Sequence, residues 1–265
     1  MFEAQDIDVL FGRKQILQNV RFTAHAGQLT AVVGPNGSGK TTLLRAMTGE
    51  VSYFGAIRLE GVDIKLCKPW ELAARRAVLP QSIQIAFPFN VLEVVRLGLM
   101  AATKAADDSL AFDALARVGL SGFEGRYYNE LSGGEQQRVQ LARVLVQVWE
   151  PLLERLPCWL LLDEPVAALD IGHQLEVMCI ARDFARRGGG VIAVMHDLNL
   201  TSMFADSVAL IKNGRLVDQG NPVRILSDEN LRKAYDCPIK VNTLPSDGTD
   251  RYILPQAVLG MGTRK

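Results

Sequence analysis

The chain has 265 residues, with 29 lysine plus arginine against 29 aspartate plus glutamate, so its net charge is zero and no global basic field marks it for nucleic acid. A chain of this length can bury roughly three quarters of its unfolded surface. Its four cysteines, Cys67, Cys158, Cys179 and Cys237, stand far apart without a Cys-x-x-Cys pair, which argues against a zinc site and a disulfide framework and leaves reduced, structural thiols as the expectation.

In chain order, Met1 to Leu10 carries Glu3, Asp6 and Asp8 where an export signal needs a basic start and an apolar run, so export is not expected. Ile7, Val9 and Phe11 alternate along one run and Ile16, Val20 and Phe22 along a second, predicting antiparallel strands that feed Leu29 to Val33, an apolar strand of the fully buried kind. A glycine-rich loop follows, and Lys40 to Thr48 reads as a helix. Gly55 to Gly61 encloses another alternating segment, and Ala77 to Leu79 is a short strand leading to Pro80-Gln81. From about Pro88 to Glu150 the period turns helical, with Val91, Val94, Val95 and Leu99 on one face and Leu110, Ala114 and Val118 on another. The most apolar stretches, around Val91 to Ala102 and Leu141 to Trp149, are broken by Glu93, Arg96, Arg143 and Gln147. They fall short of the ~18 uninterrupted apolar residues of a membrane span, so any membrane role is expected to be peripheral.

Trp159 to Leu162 returns as a strand, Ile171 to Arg187 as a helix, Val191 to Met195 as a strand and Leu198 to Phe204 as a helix. Ser207 to Ile211 and Arg215 to Asp218 flank Asn213-Gly214, a strong hairpin signal because both residues tolerate positive φ. Two short helices follow Pro222, the second from Asp228 to Tyr235, and Pro238 to Lys265 reads as an extended tail. Strands alternating with helices predict an α/β fold with a mostly parallel sheet, an antiparallel β part and a helical insertion. The expected division is one domain over 1–265, with a core of about 1–85 and 155–220, a helical subdomain of about 86–150 and a C-terminal extension of about 221–265.

Gly34-Pro35-Asn36-Gly37-Ser38-Gly39-Lys40-Thr41 fits Gly-x-x-x-x-Gly-Lys-Thr, lying between an apolar strand and a helix as that pattern requires. Its glycines let backbone amides turn inward around the β- and γ-phosphates of ATP while the helix points its N-terminus at them. Lys40 adds a mobile positive charge, Thr41 offers a hydroxyl to Mg2+, and Thr42 completes the ATP-contacting set. Trp159-Leu160-Leu161-Leu162-Asp163-Glu164 is a buried strand ending in two acids, at the kind of strand end where ligands bind in such sheets. Neighbouring side chains on a strand face opposite ways, so the two acids are given different tasks. Asp163 is assigned to Mg2+ and Glu164 to polarising the attacking water.

Leu131-Ser132-Gly133-Gly134-Glu135-Gln136-Gln137-Arg138 supplies a hydroxyl, two glycines that permit close approach, and a helix opening that favours an anion. Ser132 and Glu135 have the spacing of an ordinary capping box as well. With this string the chain resembles the nucleotide-binding subunit of ATP-binding-cassette transporters, in which it looks like the signature motif. The resemblance implies a P-loop, RecA-like fold. It also implies a Q-loop glutamine at Gln81 that touches Mg2+ and the attacking water, a dimer-contact loop at Ala168-Leu169-Asp170, a switch histidine at His196 that contacts the γ-phosphate, and an aromatic ring at Phe11 against adenine. Two positions depart from the pattern. Val166 and Ala167 follow Glu-Pro where threonine and serine are common, and Phe11 replaces the more frequent tyrosine.

Phe87-Pro88-Phe89-Asn90-Val91 and the tail from Gly220-Asn221-Pro222 to Tyr235 are similar to importers of iron chelates, haem and vitamin B12. Trp149-Glu150-Pro151 and the spacer to Pro157 are similar to the ATP-binding subunits of hemin importers, which implies haem as cargo, with a ferric siderophore or vitamin B12 as alternatives. The resemblance further implies a head-to-tail homodimer with two ATP molecules at the seam, each site taking Lys40 and Glu164 from one copy and Ser132 from the other. Two copies of a transmembrane permease, a periplasmic binding protein reached through the assembly, and a place on the cytoplasmic face of the bacterial inner membrane complete the expectation. A cleft formed by the helical insertion and Gln81 is expected to receive a permease helix. Non-transport cassette ATPases acting on ribosomes or DNA are the rival class, and a small-molecule kinase leaves the signature string unexplained.

Overall fold

The computed structural model describes residues 1–83, 85, 87–100, 108–243 and 253–257. The alternating N-terminal run forms two antiparallel strands, β1 (Phe2–Phe11) and β2 (Lys14–Ala24). Ile7 and Val9 are buried as the alternation predicts. A bulge around Asn19, which sits at φ 47°, shifts the register of β2, so that Leu17 rather than Ile16 joins Val20 and Phe22 in the core. β3 (Leu29–Val33) is buried at all positions and leads into α1 (Lys40–Thr48). β4 (Phe54–Leu59) and β5 (Val62–Asp63) complete an antiparallel sheet of order β2-β1-β4-β5.

A short helix with proline in its first turn, α2 (Pro69–Ala73), precedes β6 (Arg76–Leu79). The helical part consists of α3 (Val91–Leu99), α4 (Ser109–Arg117) and α5 (Gly133–Gln147). Val91, Val94, Val95, Leu99, Ala114 and Val118 are buried and Leu110 packs partly buried beside them, as the helical period requires. The chain leaves α5 through a small hairpin, β7 (Leu152–Leu153) and β8 (Leu156–Pro157), which the sequence did not announce. Its turn residues Glu154 and Arg155 take φ of 50° and 68°, a conformation usually flagged by asparagine or glycine.

β9 (Trp159–Asp163), α6 (Ile171–Arg186), β10 (Gly190–Val194), α7 (Leu198–Phe204), β11 (Ser207–Lys212) and β12 (Arg215–Gly220) follow. The last two strands turn at Asn213-Gly214, with φ of 50° and 74°. α8 (Pro222–Ile225) and α9 (Asp228–Tyr235) come next, and a 3-10 turn spans Pro255–Ala257. The expected extended tail otherwise falls largely outside the described residues.

The second sheet has the order β12-β11-β3-β10-β9-β6, parallel except for the edge strand β12. Its pleat divides two cores. Leu29, Ala31, Val33, Leu160 and Leu162 face the helices α3 to α7, while Val32, Leu161 and Trp159 face α1 and the antiparallel sheet. The carboxyl ends of β3, β10, β9 and β6 therefore open side by side on one edge, where the loops after them meet. Among the described residues no helix is long and apolar enough to cross a membrane, and all four cysteines are free.

The far end of α1 is fixed by a buried cation. Arg76, only 9% exposed, donates to the carbonyls of Met47 and Thr48 at 2.6 Å each, and burial holds its pKa below the usual arginine value. Replacing it (Arg76→Met) removes both charged donors from the helix terminus, and the expected loss of stability is about 2–4 kcal/mol. Urea unfolding checks this: the midpoint should fall with the slope unchanged, and an unmoved midpoint would show that the contact carries no stability.

Candidate functional site

The glycine-rich loop joins β3 to α1, and Gly39 at the N-cap sits at φ 105°, a left-handed value that penalises any residue with a Cβ. No side chain caps this end of α1, so the amides of its first turn are left to an anion. Lys40 folds back over the loop, its Nζ donating to the Gly34 carbonyl at 2.9 Å and to the Pro35 carbonyl at 3.1 Å. Burial lowers the Lys40 pKa, and the charges of Glu164 and Asp163 oppose that fall.

Asp163 ends β9, is 3% exposed and accepts from the Thr41 hydroxyl at 3.0 Å. Burial pushes its carboxyl up; the Thr41 hydrogen bond opposes that rise and the Glu164 charge adds to it. Glu164 has left the strand, at φ 52°, with its N–H donating to the Val194 carbonyl at 3.2 Å. The two acids do diverge, but this left-handed step rather than strand alternation turns Glu164 away. Its carboxylate lies between two side chains from other strand ends. Gln81, beyond β6, donates from Nε2 to Oε2 at 2.9 Å, and His196 Nε2, beyond β10, stands 2.6 Å from Oε1.

A cavity of about 650 Å3 gathers Phe11, the loop from Asn36 to Thr42, Gln81, Glu164 and His196. Phe11, half exposed at the end of β1, stands at its rim rather than in the core. Lys14 and Ile16 line the cavity too, a contribution of the β1–β2 turn that the sequence reading missed because only the folded hairpin brings them there. Gly34, Pro35 and Asp163 lie behind the lining. None of Leu131 to Glu135 reaches it, and neither does Asp170.

Ser132 instead N-caps α5. Its N–H and hydroxyl donate to Glu135 Oε2 at 2.8 and 2.6 Å, and these bonds, hydroxyl first, hold the Glu135 carboxyl below its usual range. Asp170 N-caps α6, accepting from the His173 N–H at 3.0 Å, with the His173 ring 2.8 Å away; the backbone bond chiefly lowers its pKa. A second cleft, of about 740 Å3, lies at the opposite end of α1 and is lined by Thr48, Tyr53, Arg76, Arg143 and Gln147. Gln81 does not line it; it borders the nucleotide-side cavity and a smaller pocket of about 190 Å3 with Gly133 and Gln137.

An uncapped helix start, a buried lysine and a carboxylate held by glutamine and histidine meet at one edge of a parallel sheet, an arrangement with the chemistry to bind a phosphate and polarise a water beside it. The chain belongs to the ABC transporter family, whose profile matches residues 17–167, and it is the ATP-hydrolysing cassette of that family. It is 62% identical to the hemin import ATP-binding protein HmuV of Jannaschia sp., over 96% of this chain and 94% of that protein. It is 53% identical to the protein of the same name from Rhizobium johnstonii, over 97% and 99%. The fold matches the dimeric, ADP- and phosphate-bound structure of the cassette MJ0796 with a TM-score of 0.73 at 23% identity, covering 84% of this chain and 99% of that one.

The buried Asp163 carries a cost in the nucleotide-free, magnesium-free protein. Its folded pKa lies above the ordinary 3.8, so the penalty is absent below that pH and grows as pH rises through the folded value. Asp163→Asn keeps an oxygen for Thr41 and is expected to raise the melting temperature at pH 7, with the gain vanishing below about pH 4. Melting curves across pH test this, and an equal gain at all pH values would show that charge burial is not the cause.

Proposed function

We propose that the protein is the ATP-hydrolysing subunit of a hemin importer, acting as a head-to-tail homodimer on the cytoplasmic face of the bacterial inner membrane. The observation that carries the catalytic reading is the Glu164 carboxylate clamped by Gln81 and His196 at the mouth of the cradle. The cargo rests on identity to hemin import ATP-binding proteins over almost the full chain. A ferric siderophore or vitamin B12 is the alternative.

In each site the backbone amides from Asn36 to Thr42 and the Lys40 ammonium hold the phosphates, and Phe11 stacks on the adenine. The Thr41 hydroxyl and Asp163 carboxylate, 3.0 Å apart, converge as a hard oxygen pair that fits Mg2+, with Gln81 nearby. Magnesium bound there neutralises phosphate charge. Glu164 accepts the proton of a water whose oxygen attacks the γ-phosphorus as the bond to ADP breaks; His196 orients Glu164 and contacts the γ-phosphate. Ser132, with Leu131 and Gly133 to Glu135, closes the site from the partner copy, and Asp170 lies at the seam. The division proposed from the sequence, a core with a helical arm and a C-terminal extension, places the signature on that arm. The 740 Å3 cleft between the arm and the core receives a cytoplasmic helix of each of two permease subunits, and a periplasmic binding protein delivers cargo to the assembly.

Glu164→Gln is expected to retain ATP binding, reduce turnover by more than about a hundredfold and trap the ATP-bound dimer, because the carboxamide cannot take the proton. Near-normal hydrolysis by this variant would disprove the assignment of the base. Lys40→Ala should weaken ATP binding itself, by roughly tenfold or more, measured by titration with a fluorescent ATP analogue. For the cargo, the assembly reconstituted with its co-purifying permease should hydrolyse ATP faster with hemin than with a ferric siderophore or vitamin B12; the reverse order would reassign it.

A further inference from the structure

We propose that Gln137 is a positioning residue that couples the two nucleotide sites of the dimer, because it ties the backbone of Glu164 in one site to the helix whose start serves the other. The proposal rests on the head-to-tail dimer put forward above. Gln137 lies one turn inside α5 from Gly133, and its side-chain amide bridges both ends of the segment 164–168. Nε2 donates to the Glu164 carbonyl at 3.0 Å, and Oε1 accepts from the Ala168 N–H at 3.3 Å. The same loop is held from its other side by α6, where Gln174 Nε2 donates to the carbonyls of Val166 and Leu169 at 3.3 and 3.1 Å. Gly134 brings the first turn of α5 onto this loop. A Cβ there would stand 3.2 Å from the Ala168 carbonyl oxygen and 3.3 Å from Leu169 Cδ2, so α5 and the loop pack without slack.

The consequence follows from what each contact grips. Gln81 and His196 reach the Glu164 carboxylate, whereas Gln137 reaches its backbone. Glu164 stands at φ 52°, a conformation that persists only where its surroundings impose it. The direction of its carboxylate therefore depends on the peptide that Gln137 orients. Ser132 and Gly133, at the exposed start of the same helix, are the residues assigned to the partner's ATP. Nucleotide seated on that helix start moves α5 and, through Gln137, sets the base of the protomer's own site. The head-to-tail pair is symmetric, so each bound ATP prepares the site it does not occupy.

Gln137→Met preserves length and volume and removes both hydrogen bonds. In steady-state hydrolysis by the full-length protein, the Hill coefficient for ATP is expected to fall from about 2 to about 1. In the same titration kcat should drop roughly tenfold while half-saturating ATP moves by less than about threefold. Gln137→Met combined with Glu164→Gln should still form the ATP-trapped dimer in size-exclusion chromatography, which shows that fold and binding survive. Gln137→Glu keeps the acceptor for Ala168 and loses the donor to Glu164; it should lose cooperativity as well, and it carries the test if the methionine variant misfolds. Cooperativity retained in a folded variant, even with lowered kcat, overturns the coupling and leaves the dimer reading standing. A wild-type protein that hydrolyses ATP non-cooperatively also overturns it, and if Glu164→Gln then traps no dimer the underlying reading falls with it.

Discussion

A parallel sheet delivers its strand ends to one edge, and every side chain of the nucleotide cavity except those of the β1–β2 hairpin is placed by that rule. The cradle leaves β3, Gln81 follows β6, Asp163 and Glu164 close β9, and His196 follows β10. These residues are up to 162 positions apart in the chain, from Gly34 to His196, yet strand pairing alone sets them side by side. The apolar runs that bury both faces of the sheet do the positioning, and the polar groups occupy the one edge that packing leaves open.

Charge at that edge is balanced rather than avoided. Lys40 and Asp163 both lose hydration, and each shifts toward its neutral form for that reason. Each also lies in the field of the other, and Lys40 satisfies its donors on two loop carbonyls while Asp163 accepts from Thr41. The pocket therefore holds opposite charges with their polar partners already in place, at some expense to the stability of the fold. The start of α5 differs. There Ser132 and Glu135 satisfy one another, so that helix end is self-capped where α1 is open.

Much of this was legible because it is written locally. The glycine spacing, the apolar strand ending in two acids, the helical periods of α3 and α4 and the Asn213-Gly214 turn depend on neighbours in sequence, and the structure holds each of them. What escaped depends on tertiary partners or on unusual backbone. The bulge at Asn19 moved Leu17 into the core, Glu154-Arg155 formed a tight turn without glycine, and a left-handed Glu164 did what strand alternation had been credited with. Lys14 and Ile16 gained their place only through hairpin closure. Arg76, on a strand, and Gln137, inside a recognised string, reveal their tasks only when the carbonyls they reach are known.

The nine residues of α1 make a rod of about 13 Å with one end in each of two openings, the 740 Å3 cleft and the 650 Å3 cavity. Arg76 bolts its tail to the sheet beside the broader opening, while Lys40 and Thr41 form its head. A helix this short does not bend or compress appreciably, so the floor of one opening and the roof of the other are the two faces of a single piston, and neither can be displaced without the other registering the stroke.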